Sequence, residues 1–170
     1  MAAGKPLAFD PIAEARRQWD AHGWVDASAG MAMVTSIMRA QQVLIGRVDR
    51  ALAGLNLTFA RYEVLMLLLF SRTGALPLGK VGARLQVHPA SVTNAVDRLE
   101  ADDLVRRRPH PTDGRTTLAE ITPAGRDLAR KATAELNASV FGATGLTPGQ
   151  LDQVVDLLRR LRIAEGDFTE

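Results

Sequence analysis

A mainly helical chain carrying one small β-hairpin is what this sequence predicts, and three observations predict it. Apolar residues recur at helical spacing between good capping residues along most of the 170 residues. Two helical segments, Leu78 to Leu85 and one starting at Pro89, are joined only by Gln86-Val87-His88. Directly after them the period changes. Leu104-Val105-Arg106-Arg107-Arg108 and Thr117-Leu118-Ala119-Glu120-Ile121 flank the turn-rich Pro109-His110-Pro111-Thr112-Asp113-Gly114, the composition of a hairpin with a long tip. Helices, a helix-turn-helix, a hairpin and two more helices make a winged helix-turn-helix domain flanked by N- and C-terminal dimerisation helices.

Each element has its own signal. Asp10-Pro11 caps a short helix to about Asp20, and Gly23 breaks it. Ser28 then caps a long helix to about Ala53, with Val34, Ile37, Met38, Gln41, Ile45, Val48 and Leu52 along one stripe. Gly54 ends that helix, and Thr58 caps the next, Phe59 to Arg72, whose apolar run from Val64 to Phe70 implies burial on most faces. Gly74 to Pro77 reads as a turn. In the helix from Pro89, Val92, Val96 and Leu99 point inward, leaving Ser91, Thr93, Asn94, Asp97 and Arg98 on the other face. After the hairpin, Thr122-Pro123 caps a helix to about Phe141. Thr147-Pro148-Gly149-Gln150 caps the last, whose stripe is Leu151, Val154, Val155, Leu158 and Leu161. The expected organisation is an N-terminal extension and first dimerisation helix over 1–54, a DNA-binding domain over 55–122 and C-terminal dimerisation helices over 123–170. Within the middle unit the helix-turn-helix falls at about 78–102 and the wing at about 104–121.

Composition removes several function classes. A hydrophobic share of 46% with 24% charged residues is that of a globular protein, not a disordered one. Without cysteine there is no disulfide framework, thiol switch or Cys-type zinc site. His22, His88 and His110 are too scattered to suggest a metal site. With no signal-peptide pattern and no apolar run of spanning length, the expectation is a cytoplasmic protein with no membrane partner. No phosphate-binding glycine loop and no Ser/His/Asp or Cys/His constellation is present, so the chain reads as a non-enzyme without a cofactor.

The net charge is only +2, but four arginines (Arg106, Arg107, Arg108, Arg115) stand against one acid between Leu104 and Leu118. A local basic patch on a near-neutral chain suits nucleic acid, although taken alone it reads more readily as a solvated charge run. The helix from Pro89 supplies the rest of a reading head. Ser91, Thr93 and Asn94 are small hydrogen-bonding groups at its exposed start, and Asn can pair with adenine. Pro89 leaves the neighbouring free amides as a phosphate seat, with His88 and His110 as turn residues or phosphate neighbours. Arg98 reaches a phosphate or a guanine, and Arg107 attracts phosphate. Asp97 and Glu100 repel it and belong to bonds within the protein. Arg115 at the hairpin tip can enter a narrow minor groove, with Asp113 orienting it by a salt bridge.

Ser91-Val92-Thr93-Asn94-Ala95-Val96-Asp97-Arg98-Leu99-Glu100 followed by Leu104-Val105-Arg106-Arg107 resembles the recognition helix and first wing strand of the MarR family. Asp113-Gly114-Arg115 with Ile121-Thr122-Pro123-Ala124-Gly125 resembles that family's Asp-x-Arg…Leu-Thr-x-x-Gly signature, Ile121 replacing the usual leucine. The resemblance runs from about Met31 to Leu161. It implies an obligate homodimer on a palindromic operator of double-stranded DNA, acting as a repressor released by a small-molecule ligand. It places Ser91, Thr93, Asn94 and Arg98 toward the major groove, and Arg115, oriented by Asp113, in the minor groove. The added helix around Arg16-Arg17-Gln18-Trp19 is similar to that of the urate-responsive branch, which makes Trp19 and Glu63 the ligand-binding candidates. Glu63 stands where that branch has aspartate, and Ala95 where it has arginine. Trp19 and Trp24 have a structural reading too, as anchors of the added helix. The alternative for the whole chain is a winged-helix module for protein contacts, without base readout.

Overall fold

The computed structural model describes residues 7–169. Seven helices and three strands follow in the order α1 (Pro11–Ala21), α2 (Val25–Leu52), α3 (Phe59–Phe70), β1 (Ala75–Pro77), α4 (Leu78–Leu85), α5 (Pro89–Ala101), β2 (Val105–Pro109), β3 (Thr117–Ile121), α6 (Pro123–Leu136) and α7 (Pro148–Ala164). Local chemistry sets most boundaries. The side chains of Asp10, Thr58, Thr122 and Thr147 each accept a hydrogen bond from a free first-turn amide, and Thr147 with Gln150 forms a reciprocal capping box.

Two boundaries differ from the sequence reading by more than two residues. The long helix α2 begins at Val25, not at Ser28, and its N-cap Trp24 makes no side-chain cap. Gly23, at φ 83°, turns the chain sharply enough that α2 starts at once and packs back on α1. Ser28 is instead a buried small residue near that elbow. The helix expected to reach Phe141 is α-helical only to Leu136, and Asn137–Phe141 forms a wider π-type turn. There Arg47 of α2 donates to the carbonyls of Ser139 and Ala143, at 2.6 and 2.7 Å, and so ties the widened turn to the long helix.

The segment read as a turn contains a third strand. Ala75 pairs with Glu120, Leu76 with Ala119 and Pro77 with Leu118, so the sheet order is β1-β3-β2 with β3 central. Proline is tolerated because β1 lies at the edge and Pro77 ends it. The hairpin register runs from Val105 opposite Ile121 to Pro109 opposite Thr117. One core lies beneath the sheet and helices: Leu52 of α2, Leu65 and Leu68 of α3, Val81 of α4, Val96 and Leu99 of α5, and Leu136 of α6 are wholly enclosed. The Tyr62 hydroxyl meets Thr133 Oγ1 at 3.0 Å and pins α3 to α6.

Outside this core the apolar faces are uncovered. Val34, Ile37, Met38 and Ile45 of the α2 stripe are exposed, while Val48 and Leu52 at its end are buried. Helix α7 exposes Val154, Val155, Leu157, Leu158 and Leu161, Val155 to 64%. The segment that follows it reaches the turn between α4 and α5, where Gln86 Nε2 donates to the Asp167 carbonyl (3.0 Å) and carboxylate (2.8 Å).

Candidate nucleic-acid interface

Helix α5 stands on Val92, Val96 and Leu99, which are buried, so Ser91, Thr93, Asn94 and Arg98 are presented outward. His88 is the N-cap: its Nδ1 accepts from the Ala90 amide at 3.2 Å, and Pro89 takes the first helical position. That role places His88 at the helix start as a turn residue. Thr93 Oγ1 donates back to the Pro89 carbonyl at 3.1 Å, leaving Ser91 and Asn94 as the freer polar groups. Ser91, Asn94 and Arg98 line a cleft of about 760 Å³ beside the start of α3, where Arg61 is tied to Asp102 at 3.2 Å.

The wing arginines do not act alike. Arg107 is held between Asp97, at 2.6 Å, and Glu100, which also accepts the Arg107 amide at 2.8 Å. The sequence reads Arg107 as attracting phosphate; in the fold its side chain, only 25% exposed, pairs within the protein and locks β2 onto α5. The assignment of Asp97 and Glu100 to bonds within the protein agrees with this geometry. The Arg107 amide and guanidinium hold the Glu100 carboxyl below its ordinary range. Arg106 and Arg108 share Glu120 at 2.9 and 3.2 Å. Among the described residues, Arg115 is the wing arginine without an ion pair.

Asp113 serves Arg115 differently from the expected salt bridge. Its carboxylate accepts from the Thr116 hydroxyl at 2.6 Å and from the Arg115 backbone amide at 3.0 Å. These bonds, the Thr116 one foremost, lower its pKa. The aspartate therefore shapes the turn that carries Arg115 and leaves the guanidinium free. His110 closes the same turn, its Nδ1 3.4 Å from the Thr112 amide.

Sequence reasoning misses one cation of this surface, Lys80. Lys80, His110, Asp113 and Arg115 line one cleft of about 660 Å³ between the wing tip and the start of α4. Leu78 and Gly79 belong both to this cleft and to the recess that includes Pro89 and Thr93. The wing tip, the start of α4 and the recognition face thus follow one another along a single surface. A signal exists in Lys80 and Arg84, spaced four apart and both exposed on the first helix of the helix-turn-helix.

Trp19 and Glu63 are not brought together within the chain. Trp19 meets Trp24 edge-on at 5.3 Å, His22 stacks on Trp24 at 5.6 Å, and these rings close the α1–α2 elbow. Glu63 lines a different groove, with Tyr62, Met66, Phe70 and Thr133, where burial raises its carboxyl pKa. Among the described residues no cluster of His, Cys, Asp and Glu is placed to hold a metal ion, and no single helix is long and apolar enough to cross a membrane.

Comparison with known proteins decides the family. The model described as "MarR family" matches residues 57–117. Sco5413, a MarR family transcriptional regulator from Streptomyces coelicolor, is 51% identical, with 84% of this chain and 99% of that one covered at a TM-score of 0.75. The chain belongs to the MarR family. Sco3205, a MarR family transcriptional regulator from Streptomyces coelicolor solved in complex with DNA, is 25% identical. The match covers 81% of this chain and 87% of that one at a TM-score of 0.70. CouR from Rhodococcus jostii RHA1, bound to p-coumaroyl-CoA, is 28% identical over 81% of this chain and 95% of that one, with a TM-score of 0.69. The MarR-family relatives are transcriptional regulators, not enzymes, and the fold expected from the sequence is the one they share.

Proposed function

We propose that this MarR-family regulator binds a palindromic DNA operator as a homodimer and represses until a small molecule releases it. The observation that carries the reading is the unpaired Arg115 on a hydrogen-bonded wing tip, in line with Lys80 and the outward face of α5. Ser91, Asn94 and Arg98 read base edges in the major groove, and Thr93, His88 and Pro89 set the start of the helix whose free amides seat a phosphate. Arg115 enters the minor groove, with Asp113 and His110 fixing its turn. Residues 55–122 form this reading head, and residues 1–54 and 123–170 form the arms that pair the two copies. The exposed apolar faces of α2 and α7 support that pairing, because a lone chain would leave them in water. Trp19 and Glu63 are the effector candidates. The protein acts by binding rather than catalysis, and in the cytoplasm where its operator lies.

The DNA complex of Sco3205 and the ligand complex of CouR support both halves of the proposal by likeness. The test uses duplexes from the region upstream of the protein's own gene, searched for an inverted repeat. Wild-type protein is expected to prefer the repeat over a scrambled duplex, and Asn94→Ala to reduce that preference by roughly tenfold, the value of one good base contact. Equal binding of repeat and scrambled DNA would show a module without base readout.

A further inference from the structure

We propose that the groove around Glu63 takes an amphipathic organic cation: an aromatic or alicyclic body bearing an ammonium head. This deepens, and rests on, the reading of the chain as a regulator released by a ligand. The groove is open to solvent and offers about 400 Å³, a volume within the range of small-molecule sites. Its walls are Phe59, Tyr62, Met66 and Phe70 from α3, Leu85 from α4 and Thr133 from α6. Almost all of this surface is apolar.

The polar groups there are unequal. The Tyr62 hydroxyl and Thr133 Oγ1 satisfy one another, and Thr133 Oγ1 also donates to the Ala129 carbonyl at 2.8 Å. Glu63 is half-buried and, among the described residues, has neither a hydrogen bond nor an ion pair. An unmatched carboxylate on an apolar wall is unfavourable, and so is Phe70 left 75% exposed at the rim. A cation with an apolar body answers both at once: its head meets Glu63 and its ring covers Phe70. An anion of the same size would meet a like charge with no cationic residue in the groove lining to offset it.

The position of the groove also gives such a ligand leverage on the reading head. Leu85 is the last residue of α4, and Gln86 then turns the chain at φ 54° into α5. A body seated between Leu85 and Thr133 bears on the angle between the helix-turn-helix and α6, which belongs to the dimerisation arm. Sensing and reading therefore share a wall.

The experiment is titration calorimetry on the full-length protein without DNA. The probes are 2-phenylethylammonium and its anionic counterpart 3-phenylpropanoate. The ammonium is expected to bind at least about tenfold more tightly. Glu63→Gln should erase that difference, and Phe70→Ala, at an exposed position, should weaken both probes. Equal affinity for the two, preference for the carboxylate, no binding of either, or an unaltered preference in Glu63→Gln would each overturn the proposal. Thermal unfolding checks that both variants are folded. Because no DNA is present, failure here leaves the operator reading to be judged by its own assay.

Discussion

Arg107 shows how little residue type alone says about a side chain's partners. In the sequence it is one of four arginines beside a hairpin, indistinguishable from Arg106 and Arg108. The repulsion of phosphate by Asp97 and Glu100 was legible, since acids on a DNA-facing helix need an internal partner. Their partner was not, because only the fold lays β2 across the end of α5 and brings Arg107 within reach of both. Arg107→Ala is therefore expected to cost on the order of 1 kcal/mol of stability, a modest figure because Asp97 remains well hydrated. Urea unfolding measures this. The same variant should leave the salt dependence of DNA binding unchanged, in contrast to Arg115→Ala. The Asp113–Arg115 pair was legible as a unit, but its working was not: a two-residue spacing favours a carboxylate-to-amide turn over a guanidinium pair.

Among the elements, the legible ones are those with strong local signals: capped amphipathic helices and a hairpin between a Pro/Gly turn and β-capable flanks. Strand β1 escaped because three residues ending in proline carry no period, and the pairing partner lies more than forty residues away. The Thr122-Pro123-Ala124-Gly125 junction is an element-scale device whose physical reason appears only in three dimensions. Thr122 Oγ1 accepts from the Gly125 amide at 3.0 Å and donates to the Asp103 carbonyl at 2.8 Å, so the cap also clamps the end of the recognition unit. A Cβ on Gly125 would stand 2.1 Å from the Leu104 carbonyl oxygen, a backbone atom that cannot step aside. Gly125→Ala should thus destabilise by roughly 3 kcal/mol, seen as a lowered midpoint in thermal or urea unfolding. A neutral result would mean that α6 can shift away from the wing without loss.

At the scale of the whole molecule, one compact core carries the reading head, while α2 and α7 extend apolar faces left exposed among the described residues. The sequence stripe of α7 predicted those faces. It could not say whether they would fold inward or await a second copy, since periodicity reports amphipathicity and not its partner. The geometry of the single chain favours the second copy, and pairing would set two wings and two α5 helices at a fixed spacing for an inverted repeat. Such a paired surface would hold DNA through its unpaired cations, and that is the central claim. The most direct measurement is the affinity for the upstream inverted repeat across a series of salt concentrations, with stoichiometry read alongside. Two chains per repeat are expected, with a steep linear fall of log K against log salt. That slope should become shallower by about one for each phosphate neutralised by Arg115 in the wild type and left free in Arg115→Ala. An affinity indifferent to salt, or one chain per duplex, would contradict it.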